Sequence, residues 1–152
     1  MSTLLEEETL RALASIASAS GRFASVAQRA SGLTCQARCA ASAHYALERR
    51  GSEWVIRLAT PDRWLSESIE SELVESRDSM EELLLEELKD RDWAEPPVAV
   101  KHFRDDLKQY VFEAALTSSS SPATDRARLA TLFLSFEAMF AQLGDMAEGA
   151  GD

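Results

Sequence analysis

The sequence predicts an α+β fold, an antiparallel sheet of four to five strands with N-terminal, middle and C-terminal helices packed on it. Three observations carry this. Leu129, Leu132, Phe133, Phe136, Phe140 and Leu143 recur at i, i+3, i+4, i+7, i+11 and i+14, one apolar stripe on a helix of 3.6 residues per turn. Tyr45 to Leu47 and Trp54 to Leu58 flank Arg49-Arg50-Gly51-Ser52, the pattern of an antiparallel hairpin. A second pair of β-rich runs, Val98 to Phe103 and Tyr110 to Leu116, flanks Arg104-Asp105-Asp106-Leu107-Lys108. Antiparallel runs separated by helices define the class. With 152 residues, 45% of them hydrophobic, the chain can bury one core. We expect a single domain over residues 1–146 and a disordered tail over 147–152.

In chain order, Thr3-Leu4-Leu5-Glu6 fits a capping box, in which hydroxyl and carboxylate satisfy each other's backbone amides. Leu10, Leu13 and Ala17 continue one face of a helix to about Ala19, and Ser20-Gly21 breaks it. Phe23, Val26 and Ala30 suggest a further helical turn or two, closed by Gly32, and Leu33 to Arg38 reads as a short strand. After the first hairpin, Thr60-Pro61 starts a helix, threonine as cap and proline at the first position. Trp64, Leu65, Ile69 and Leu73 form its narrow apolar edge. Asp78-Ser79 interrupts, and Ser79-Met80-Glu81-Glu82 is a second capping box. The helix that follows carries Met80, Leu83, Leu84 and Leu88 and ends near Asp90. Glu95-Pro96-Pro97 breaks the chain before the second hairpin. Ser118 to Pro122 is a polar loop. The last helix runs from Asp125 to Leu143, with Thr124 or Asp125 as cap and Gly144 as stop. Arg126, Arg128, Ser135 and Gln142 fall on its other faces.

The formal net charge is −10, and between Ser66 and Asp92 eleven acidic residues stand against three basic ones, a local charge of −8. Nucleic-acid binding is disfavoured, because it gains affinity by neutralising phosphates with Lys and Arg. The N-terminal residues lack the basic head and apolar run of a signal peptide. No stretch approaches the roughly 20 apolar residues that span a bilayer. A cytoplasmic protein with no membrane partner is expected. Cys35 and Cys39 would lie roughly 13 Å apart in a strand, too far to bridge. On a helix they would share a face, but C-x-x-x-C without histidines is a poor metal site. They read as small buried thiols.

No catalytic signature is present: neither a nucleophile elbow, a phosphate-binding lysine loop, an H-E-x-x-H pair nor a dinucleotide glycine fingerprint occurs. Neither a cofactor nor a metal is expected. His102, Asp105 and Asp106 would be the ligands of a metal-dependent enzyme; the plainer reading is a strand end running into an aspartate turn. Glu81-Glu82 and Glu86-Glu87 would suit a divalent cation or a basic partner, but they equally describe a solvated helix face, and no histidine follows at the di-iron spacing. Of Trp54, Trp64 and Trp93, the last, beside Pro96-Pro97, is the one most expected to be exposed. The stripes at Leu65/Ile69/Leu73 and Met80/Leu84/Leu88 suit core packing, with an oligomer seam as the rival.

The run Tyr110-Val111-Phe112-Glu113-Ala114-Ala115-Leu116, a polar loop, and Leu129 to Leu143 as closing helix resemble the bacterial YbjN-like family and the related type III secretion chaperone fold. The strand Trp54 to Leu58 leading through Thr60-Pro61 into a helix is similar in placement. The resemblance implies a small acidic homodimer without catalysis that binds a partner polypeptide, for secretion chaperones an unfolded segment of it. The expected function is therefore a cytoplasmic binding protein of chaperone or regulatory type, with Trp64, Ile69 and Trp93 as partner-binding residues. A metal-dependent enzyme is one alternative. An acidic decoy of a nucleic-acid-binding protein is another, whose partner binding would collapse at high salt.

Overall fold

Each of the two expected hairpins forms, and the sheet they build is larger than the sequence suggests. The computed structural model describes residues 2–29, 32–39, 41–119 and 121–150, with backbone alone for 2–5 and 148–150. The elements are α1 (Ser2–Ser20), β1 (Phe23–Arg29), β2 (Gly32–Ala37), β3 (His44–Arg50), β4 (Glu53–Thr60), α2 (Arg63–Ser76), α3 (Met80–Lys89), β5 (Lys101–Arg104), β6 (Tyr110–Thr117), α4 (Pro122–Phe140) and α5 (Gly144–Ala150). The fold is α+β: six strands, all pairings antiparallel, in the order β1-β2-β3-β4-β6-β5.

The additional strand is β1, where Phe23 and Val26 suggest a helical turn; Ala30, the third residue of that pattern, lies outside the described residues. Pairing with β2 outweighs the helix propensity of an Ala- and Ser-rich run. A register shift between Phe23 and Ser25 turns the Phe23 ring into the core while residues beyond it are largely exposed. Gly32 opens β2 rather than closing a helix. The β3–β4 turn is tighter than expected, two residues with Gly51 at φ 60°, because a left-handed turn matches the twist of the flanking strands. Val98 and Val100 are buried but lie outside any strand, and β5 begins only at Lys101.

Several helix starts differ from expectation. α1 begins at Ser2, so Thr3 lies inside it. Thr60 is the last residue of β4, and its hydroxyl donates to the Ser42 carbonyl at 2.6 Å. Asp62 caps α2 instead, accepting from the amides of Trp64 and Leu65. Ser121 caps α4, with Pro122 in the first turn, three residues earlier than Thr124. Arg77, in the left-handed conformation, ends α2. Ser79 caps α3, accepting from the Glu82 amide at 3.1 Å and donating to its carboxylate at 3.0 Å.

The stripe on α4 is buried throughout and lies against the sheet: Phe133 stacks on Phe23, Phe136 meets Tyr45 edge-on, and Phe140 meets Phe112. Contact with α1 and α3 as well encloses this helix more fully than one stripe indicates. Ser135 and Glu137 are therefore buried too. Beyond α4, Gly144 at φ 51° lets α5 approach the α2 backbone. A Cβ there would stand 2.5 Å from Ser68 Oγ and 2.7 Å from the Ile69 nitrogen. The Gly144 amide donates to Glu72 and the Asp145 amide to Ser68. Residues 144–150 are thus helical where a tail is expected from 147; 151–152 lie outside the described residues.

Candidate functional site

Alternation along each strand divides the sheet into two faces. Trp54, Ile56, Leu58 and Phe112 point into the core cluster formed with the helices. On the opposite face the register aligns Thr34, Ala46, Arg57, Glu113 and Lys101 in one cross-strand row, with Gln36, His44, Ala59, Val111 and Phe103 in the next. None of these ten residues belongs to the core cluster formed with the helices. At its centre Arg57 is shared by three acids: Nη2 is 3.6 Å from Asp105, Nε 3.7 Å from Glu113 and Nη1 3.8 Å from Glu48. Arg50 reaches Glu113 at 3.1 Å and also pairs with Glu48. Val55, Ala59 and Val111 are buried around this network, outside the helix-side cluster.

One end of the sheet is different. The register sets Thr60, Tyr110 and Arg104 side by side, so β4 exits, β6 begins and β5 ends together. The first turn of α2 and the 105–109 turn project from that end. They carry the most exposed aromatic and aliphatic side chains of this region, Trp64 at 75% and Leu107 at 79%, and Phe103 on β5 is 38% exposed. Exposed cations surround them: Arg63 paired to Glu67, Lys108 in the turn, and Arg104, whose guanidinium lies 5.7 Å over the Tyr110 ring. β5 has four residues and is the last strand of the sheet; among the described residues it pairs with β6 alone, and no strand lies along its other edge.

The predicted site residues separate. Trp64 belongs to this exposed end. Ile69 is fully buried in the core and cannot meet a partner, because it continues the inward edge that starts at Leu65. Trp93 is only half-exposed: it packs on the core and its Nε1 donates to the Pro96 carbonyl at 3.2 Å. His102 points to the helix side, stacked on Phe112 with ring centroids 3.9 Å apart, its Nδ1 3.3 Å from Glu70 and its Nε2 3.3 Å from Ser66 Oγ. Burial lowers its pKa, and Glu70 partly opposes the shift. Asp105 instead reaches Arg57 on the other face and accepts from the amides of Leu107 and Gln109, both at 2.9 Å. Asp106 is exposed. The three do not converge, and among the described residues no group of three or more His, Cys, Asp or Glu is placed to hold a metal ion.

Three of the four paired glutamates have local work. Glu82 completes the α3 cap, Glu81 accepts from the Val100 amide at 2.8 Å, and Glu87 pairs with Arg91 and accepts from Gln142. Both cysteines are free; burial pushes the Cys35 thiol up to about 12. Among the described residues no helix is long and apolar enough to cross a membrane. Sequence reasoning missed Arg57, Phe103 and Leu107. The alternation of Val55, Arg57 and Ala59 was the available signal for the first. In comparisons with known proteins, no family model matches the chain and no curated protein is significantly similar to it.

Proposed function

We propose that this chain is a non-catalytic cytoplasmic binding protein of chaperone or regulatory type that holds an extended segment of a partner polypeptide. One observation carries this reading: Phe103 on the edge strand β5 and Leu107 in the turn after it are exposed, and Trp64 is exposed in the first turn of α2, which leaves the sheet at the same end. Burying exposed apolar side chains favours association. A strand laid along β5 gains main-chain hydrogen bonds, and its alternate side chains reach Phe103 on one face and the α2 side on the other. Arg104, Lys101 and Lys108 favour acidic residues flanking the apolar ones. The resemblance to the YbjN-like and secretion chaperone families supports the same reading and adds a homodimer, which light scattering at low and high salt checks.

The test is calorimetric titration with short extended peptides that alternate apolar residues between acidic flanks. Binding that persists at high salt is expected, since apolar burial and backbone pairing are screened little. The double substitution Trp64→Ala, Leu107→Ser should weaken it about tenfold or more, as removal of central anchors does. Failure of the peptides to bind, or equal affinity for the double variant, would refute the proposal.

A further inference from the structure

A cleft of about 270 Å³ opens on the helix side of the sheet, well away from β5. Ser20 and Arg22 line it from the α1–β1 junction, Arg38 from the end of β2, Tyr45 from β3, Glu137 from α4 and Met146 from α5. Tyr45 is 1% exposed, its ring held edge-on by Phe23 and Phe136, and its hydroxyl has no hydrogen-bond partner among the described residues. Buried polar atoms almost always have one. The neighbouring groups are fixed in place. Arg22 donates through Nε to the buried Glu137 carboxylate, and Arg38 donates through Nε to the Gly21 carbonyl at 3.0 Å. Among the described residues the Nη groups of both arginines have no acceptor, and Arg38 has no acidic partner.

We propose that this cleft binds a small anionic molecule through a carboxylate or phosphate oxygen, received by the Tyr45 hydroxyl and the guanidinium groups of Arg22 and Arg38. The hydrogen-bonding capacity left over in the cleft is mostly of one kind, donors, and donors call for an acceptor. Among the described residues, Glu137 is the one carboxylate lining it and is already paired with Arg22, so two guanidinium groups stand there against one carboxylate in a chain of net charge −10. Burial, then the nearby Glu137, pushes the Tyr45 phenol well above its ordinary pKa, so it stays a donor. Ala141 and Met146 provide an apolar wall for a short carbon chain. The volume suits a metabolite rather than a polymer.

Ligand-observed NMR on the full chain tests this, with inorganic phosphate, phosphate monoesters, short-chain carboxylates, and the matching neutral amides and alcohols. At least one acid class should bind while its neutral counterpart does not. Tyr45→Phe and Arg38→Gln should each weaken binding about tenfold, the loss expected for one charge-assisted hydrogen bond. Both variants should unfold at the wild-type temperature, because one hydroxyl is unpartnered and the other side chain is exposed. Binding of carboxylates alone or of phosphate compounds alone identifies the headgroup, and either supports the site. Absence of binding by every acid, as when a water alone satisfies Tyr45, overturns the proposal. So does equal affinity for both variants, or equal binding of the neutral analogues. Trp64→Ala should leave this binding unchanged, which keeps the result independent of the peptide titration.

Discussion

The two faces of β4 bury their apolar side chains alike and are built by different means. Trp54, Ile56 and Leu58 are at most 3% exposed and meet the helices. Val55 and Ala59 are both 2% exposed on the opposite face, yet there they flank Arg57 and its three acids. One face removes apolar area from water wholesale, the larger source of stability. The other shields a thin apolar layer with an ion-pair network that remains wettable. A strand can thus be central to the core on one side and present a polar surface on the other.

Three substitutions or titrations would break or sharpen this contrast. On the helix-covered face, Phe136→Ala empties a fully buried site between Tyr45 and Phe140. Denaturant unfolding should show a loss of about 3–5 kcal/mol, the range for an aromatic side chain removed from a core. On the open face, Arg57→Ala leaves Glu48 and Glu113 paired with Arg50, and Asp105 with no ion pair among the described residues. The Arg57 and Glu113 side chains are 18% and 13% exposed. The loss should therefore be about 1–2 kcal/mol, between the values for exposed and for fully buried pairs, and should shrink at high salt. The smallest effect concerns His44, on the same face. Burial, and then the charge of Arg57, holds its pKa below the ordinary 6.5. The folded state favours the neutral ring, so the unfolded chain takes up the proton more readily. Its contribution to stability is present above pH 6.5 and is lost as pH falls below that value. An NMR titration should find the pKa raised in Arg57→Ala but still under 6.5, because burial is the larger cause.

The helix-covered half was legible because its signal is periodic. The α4 stripe, the Ser79–Glu82 cap and the Gly51 turn each follow from residue spacing and local hydrogen bonding, and no distant partner is needed to see them. β1 was not legible, since an Ala- and Ser-rich edge strand owes its conformation to β2. Thr60 misled because it is a good cap in isolation, and the strand pairing of β4 extends through it. Of the exposed end, Trp64 could be singled out as a residue, but that α2 and the 105–109 turn leave the sheet at one end depends on strand register. Ile69 reads both as core and as a partner residue, because a narrow stripe looks alike for a core edge and an oligomer seam, and the structure buries it. The cleft lay beyond sequence reasoning altogether: Arg22, Tyr45 and Glu137 meet only once α4 is laid across the sheet.

The strand order also has a consequence for how the molecule is made. β4 joins β3 through two residues, but it meets β6 only after α2, α3 and β5 have passed. As the chain emerges during synthesis, β1 to β4 can close as successive neighbours, whereas the partner of β4 on its other side does not yet exist. Until Tyr110 to Thr117 arrives, β4 is an open edge with an apolar row on one face, the kind of surface that pairs with another copy. α4, later still, covers that row. Nascent or truncated chains ending before Pro122 are therefore the aggregation-prone species, and the last third of the sequence acts as the seal on the first two.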